Sequence, residues 1–141
     1  MSVPAFHEIR LLPPVRREIE RWVLGSPARE LCGILCGTIE AGVARATSIF
    51  PLENRARHAH SFAIDARALR QTLDGLERAE EHPLAVGHTH VCDSAKPSFR
   101  DLEIPRVTGL AVLIFAWTRQ RIVSGGYGFH RRVYPIRVLA E

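Results

Sequence analysis

The chain has 141 residues, long enough to bury a core without disulfide or metal staples. A hydrophobic fraction of 46% and a charged fraction of 24% exclude disorder, collagen and coiled coil as readings of the whole chain. The net charge of +4 comes from 19 basic residues interleaved with 15 acidic ones, with Lys96 the only lysine, so a solvated surface is favoured over a nucleic-acid partner.

The longest apolar run, Leu110 to Trp117, is too short to cross a bilayer, so no membrane partner is expected. Met1 to Glu8 lacks the basic-then-apolar pattern of a signal peptide. Cys32, Cys36 and Cys92 form an odd, sparse set, which points to a reducing cytoplasm rather than a disulfide framework.

Pro13-Pro14 precedes a segment whose apolar residues Val15, Ile19, Trp22 and Val23 fall on one helical face, with Gly25 as a stop. Leu31 to Gly37 is a short apolar run and predicts a buried strand. Val43 to Phe50 is its hairpin partner across Glu40-Ala41-Gly42. Pro51 to Ser61 is polar and rich in His and Arg, a loop or an edge strand. Apolar residues at 66, 69, 73 and 76 predict a second helix over 65–81. Pro83 opens a strand that runs to His90, and a polar loop follows over 91–97. Ser98 starts a short helix that Pro105 limits, and 110–118, 120–127 and 131–139 read as three further strands. The order αββαβαβββ predicts one α/β domain over residues 1–141, a mixed β-sheet flanked by helices.

The chemistry concentrates in His88-Thr89-His90, seven residues, and Ser98-Phe99-Arg100-Asp101. Residues two apart on a strand share a face, so two imidazoles about 6.5–7 Å apart at the backbone can converge on one ion. A carboxylate from the following helix makes a third ligand. Two nitrogens and one oxygen leave a fourth position for water, the composition of a catalytic zinc site. Ser98-x-x-Asp101 is also a good helix start, and the two readings are compatible. Glu30 stands at the mouth of the apolar strand; beside a zinc-bound water it can take the water's proton and return it to a leaving amine. Read alone, it is a surface residue ahead of that strand.

This constellation resembles the JAMM (MPN+) metalloproteases, whose signature is a glutamate ahead of a Cys-Gly strand, then H-x-H, seven residues and S-x-x-D. Here it reads Glu30-Leu31-Cys32-Gly33, His88-x-His90 and Ser98-x-x-Asp101. Gly33 and Gly37 match the family's small residues. Pro51-Leu52-Glu53-Asn54 and Phe62-Ala63-Ile64-Asp65 match weaker positions, and the resemblance spans about residues 10–137. Two departures are Thr89, where serine is usual, and Val91, where proline is usual.

The resemblance implies an MPN/JAMM-like fold with layering similar to that of cytidine deaminases. It implies one Zn2+ per chain, bound by His88, His90 and Asp101. Glu30 would be the general base and then the general acid, and Ser98 the oxyanion donor. Asn54, His60 and Phe62 would contact substrate. The implied activity is hydrolysis of an amide bond at the C-terminus of a ubiquitin-like protein. Stand-alone bacterial members, which this chain resembles, process sulfur-carrier proteins. The alternative is a non-catalytic MPN-type scaffold that binds a ubiquitin-like partner. A homodimer stays open.

Other motifs carry less. His58-Ala59-His60 is a second H-x-H without an S-x-x-D partner. Cys32-x3-Cys36 has no zinc-finger spacing and reads as core cysteine. Cys92 reads as a loop residue or an extra thiolate ligand. There is no H-E-x-x-H and no P-C-x-x-C.

Overall fold

The computed structural model describes residues 5–25, 29–56 and 66–141. Its first element is a strand that the hydropathy pattern does not announce, β1 (Glu8–Leu11). Then come α1 (Pro13–Gly25), the hairpin β2 (Cys32–Glu40) and β3 (Val43–Leu52), α2 (Ala66–Arg78) and β4 (Pro83–Thr89). The chain finishes with α3 (Phe99–Thr108), β5 (Ala111–Trp117), β6 (Ile122–His130) and β7 (Arg132–Ala140).

β1 changes the architecture. It pairs in parallel with β3 on one side (Glu8 opposite Val43) and with β7 on the other (Glu8 opposite Arg137). The sheet therefore closes into a seven-stranded mixed barrel in the order β1-β3-β2-β4-β5-β6-β7. The expected α/β layering, an open mixed sheet flanked by helices as in cytidine deaminases, is corrected on this point: the described chain is mostly strand, with three short helices. The physical reason lies in β1. Only Ile9 and Leu11 mark its inward face, and both of its partners lie far along the chain. On the outer face Arg10 Nε sits 2.8 Å from Glu8 Oε2.

β2 is covered on both sides, which explains its unbroken apolar run. Leu35 joins the main core with Val15, Ile19 and Val23 of α1 and with Leu113 and Phe115 of β5. Ile34 and Cys36 pack with Leu76 of α2 in a second, smaller core. Two glycines let neighbours approach the strand. A Cβ on Gly33 would lie 2.7 Å from the Trp22 ring and from the Phe50 carbonyl oxygen. A Cβ on Gly37 would lie 1.8 Å from the Arg45 carbonyl oxygen, beside the bulge where the β2–β3 register shifts.

α3 also differs from expectation, because it continues through Pro105 to Thr108. Pro105 is buried, and α3 lies against β5 and β6. The helix ends instead at Gly109, in the left-handed region with φ 75° and its N–H donating to the Pro105 carbonyl at 3.1 Å.

Gly37→Ala forces backbone to move and should cost about 1–3 kcal/mol, lowering Tm by about 3–10 °C in thermal unfolding followed by circular dichroism. Gly25→Ala, with nothing within 4 Å of the added Cβ, should leave Tm unchanged or slightly raised.

Candidate metal centre

The site forms where β4 ends. β4 lies between β2 and β5, with His88 opposite Cys32 on one neighbour and Ile114 on the other. His90 follows directly, and its N–H continues the ladder by donating to the Phe115 carbonyl at 2.8 Å. Strand alternation brings the two imidazoles to one side, with ring centroids 5.0 Å apart.

α3 delivers the carboxylate. Ser98 is the N-cap: its hydroxyl accepts from the Asp101 N–H at 3.2 Å, and its own N–H donates to Asp101 Oδ2 at 2.7 Å. This capping box fixes Asp101, which is 2% exposed. Its Oδ1 lies 2.9 Å from His88 Nε2 and its Oδ2 lies 3.1 Å from His90 Nε2. The Asp101 side chain thus closes the helix cap and at the same time contacts both imidazoles.

Glu30, 4% exposed, approaches from just before β2 and places Oε1 3.3 Å from His88 Nδ1. Ligating atoms of Glu30, His88 and His90 all lie within 4.8 Å of one another. The structure therefore brings the four predicted acidic and imidazole groups together. Tetrahedral zinc with bonds of 2.0–2.2 Å sets neighbouring donor atoms about 3.3 Å apart, and the Asp101–imidazole separations are close to that. The outer contacts suit the same use. His90 Nδ1 lies 3.0 Å from the Ser94 carbonyl oxygen, which leaves Nε2 free of that role and directed at Asp101. The donor set fits a zinc ion.

Charge balance follows from the geometry. Burial pushes His88 toward neutrality, but the Asp101 and Glu30 carboxylates outweigh it and raise its pKa above the ordinary value. Burial alone would raise Asp101; hydrogen bonds from His88 and His90, with the Ser98 amide, hold it well below the usual carboxylate range.

A cleft of about 550 Å³ opens beside Glu30, His90 and Asp101, and Ser98, Lys96 and Phe99 line it. Phe99 is 85% exposed. Ser98 is exposed at this cleft. Its oxygen accepts from the Asp101 amide, so its O–H remains able to donate. Cys92 lines the same cleft, but its thiol turns to the Ser94 carbonyl at 3.5 Å and stands outside the group able to hold a metal. Cys36 is a core residue, as its sequence context suggests. Of the residues expected to contact substrate, His60 and Phe62 lie outside the described residues, as does His58. Asn54 is described, and its side chain points to the Glu30 carbonyl oxygen at 2.7 Å. Thr89, one of the two departures from the family pattern, is buried, and Leu31 N–H donates to its Oγ1 at 2.9 Å.

The family profile of prokaryotic homologs of the JAB domain matches residues 12–127. The chain belongs to that family. This is the JAMM/MPN relationship that the motif indicates, and the family includes metallopeptidases. In fold, the chain is similar to the protein DSY2949 from Desulfitobacterium hafniense, whose solution structure superposes with a TM-score of 0.76 at 20% identity over 94% of this chain and 92% of that one. No curated protein matches the chain in sequence.

The JAB-family chain keeps its buried thiols protonated. Cys32 is pushed from an ordinary 9.0 up to about 11, by burial and then by the Glu30 charge. Cys36 is pushed up to about 12, by burial and then by Glu81. A disulfide-exchange reagent at pH 8 should modify Cys92 rapidly, and Cys32 and Cys36 only on unfolding. Between pH 9 and about 11–12 the unfolded thiols ionise while the folded ones hold their protons. Their contribution to stability is therefore complete below pH 9 and is lost as pH rises through that window. The urea midpoint should fall over this range, with a shallower slope in a Cys32→Ala/Cys36→Ala variant.

Proposed function

We propose that this JAB/MPN domain is a zinc-dependent peptidase or isopeptidase. Its substrate would be a ubiquitin-like protein, of the sulfur-carrier class, cleaved at an amide bond of its C-terminal tail. The observation that carries the reading is the Asp101 carboxylate between the two imidazoles, with Glu30 against His88 and the cleft open beside them. His88, His90 and Asp101 would hold the ion. Bound there, zinc supplies Lewis acidity toward the scissile carbonyl and lowers the pKa of a coordinated water toward about 7.

The chain's own groups carry the protons. Glu30 takes the proton of the attacking water and returns it to the departing nitrogen. Ser98 directs its O–H toward the oxygen that gains charge as the carbonyl becomes tetrahedral, a donor held in place by the α3 cap. Asp101 stays ionised because its neighbours hold its pKa low, so it remains an acceptor throughout.

The sulfur-carrier class follows from the resemblance to stand-alone bacterial members. Three free cysteines suit a reducing cytoplasm. Among the described residues no helix is long and apolar enough to cross a membrane.

Zinc-loaded protein incubated with a sulfur carrier extended at its C-terminus should shorten it, as read by mass. Glu30→Gln should retain about one zinc per chain and lose about 10²–10⁴-fold in rate. Asp101→Asn should lose zinc. Purification without stoichiometric zinc, or undiminished cleavage by Glu30→Gln, would overturn the assignment; the first of these would favour a binding scaffold. Ser98→Ala should lower kcat about 10²–10³-fold while zinc content holds.

A further inference from the structure

Glu30 lies two residues before β2 begins, so the strand proper does not hold it. Two side chains hold it instead. The peptide joining Glu30 to Leu31 is gripped at both of its polar atoms: the carbonyl oxygen accepts from Asn54 Nδ2 at 2.7 Å, and the N–H donates to Thr89 Oγ1 at 2.9 Å. The Thr89 N–H donates back to the Leu31 carbonyl at 2.9 Å. Asn54 is itself braced, because its Oδ1 accepts from the Ala56 N–H at 2.9 Å. Arg29 Nη2 donates to the carbonyls of Asn54 at 3.2 Å and Ala56 at 2.9 Å.

A peptide plane tied at both its donor and its acceptor cannot turn without breaking one of the two bonds. The two bonds therefore fix the backbone on the C-terminal side of Glu30, from whose Cα the carboxylate reaches His88. Thr89 is the residue between the two imidazoles. Its hydroxyl therefore ties the base to the same strand that carries the metal-directed histidines.

We propose that Thr89 and Asn54 are positioning residues. Together they lock the Glu30–Leu31 peptide and so set the place of the Glu30 carboxylate relative to His88, His90 and Asp101. The proposal rests on the hydrolytic role assigned to Glu30 above. A misplacement of about 1 Å in a reacting group costs on the order of 10²-fold in rate, and loss of supporting contacts at metal sites costs about 10–100-fold.

The test uses the zinc-loaded full chain with a C-terminally extended sulfur carrier. Thr89→Val and Asn54→Ala should each lower kcat by about 10–100-fold. KM should stay within about twofold and zinc content at about one per chain. Thr89→Ser, which keeps the hydroxyl, should restore the rate. In a Glu30→Gln background neither substitution should lower the residual rate further, because both act through Glu30. Hydrogen exchange at the Leu31 amide should quicken in Thr89→Val, a readout independent of turnover. If Thr89→Val fails to fold, Asn54→Ala, at a partly exposed position, carries the test. Wild-type kcat in both variants while Glu30→Gln is inactive would overturn the proposal, as would a loss that Thr89→Ser does not repair or that appears as lost zinc. Full activity in Glu30→Gln would remove the hydrolytic reading instead, and Leu31 exchange unaltered in Thr89→Val would then remove the clamp as well.

Discussion

Everything in the site turns on one buried carboxylate. Burying an ionised group costs several kcal/mol unless it is paired and hydrogen-bonded. Asp101 meets that demand three times over: the Ser98 amide, His88 Nε2 and His90 Nε2 all lie within 3.1 Å of its two oxygens. The same contacts begin α3, keep the carboxyl ionised and orient two imidazoles. Local helix capping and long-range site assembly are thus a single interaction. Removing the Asp101 carboxylate would disturb both.

The strand that carries His88, β4, pairs with β2, and the two cysteines of β2 do not offer a rival chemistry. A thiolate nucleophile needs a polar, positive surrounding. Cys32 and Cys36 have the opposite, apolar burial with a carboxylate as the second influence, so both thiols hold their protons. A structural zinc site would need thiolates converging with the histidines. Cys36 instead packs beneath α2 with Ile34 and Leu76. Gly33 and Gly37 read as small residues in the sequence. In three dimensions they are the places where the Trp22 ring and the Arg45 carbonyl press against the strand.

Barrel closure shows where pattern reading ends. Nine of the ten elements follow from apolar periodicity, from short apolar runs or from punctuation such as the Ser98 cap of α3. β1 has four residues, and both its partners are distant along the chain. Without it the strand order reads as an open sheet between helices. With it the sheet has no such edges. Pro105 is a milder case: proline disfavours a helix interior locally, yet this one is buried where α3 packs on the sheet, and the helix runs on to a glycine cap.

The residue types and spacing alone singled out the groups that meet at the candidate site: two imidazoles two apart on a strand, an acid in the first turn of the next helix, and a glutamate before an apolar run. Those relations are local, and strand and helix periods convert them directly into shared faces. Only the tertiary structure decided that Glu30, 58 residues before His88, stands against it, and that Asn54 and Thr89 grip the peptide beside it. Such contacts arise from how strands remote in sequence register against one another in the closed sheet, and no periodicity in a single segment encodes that register.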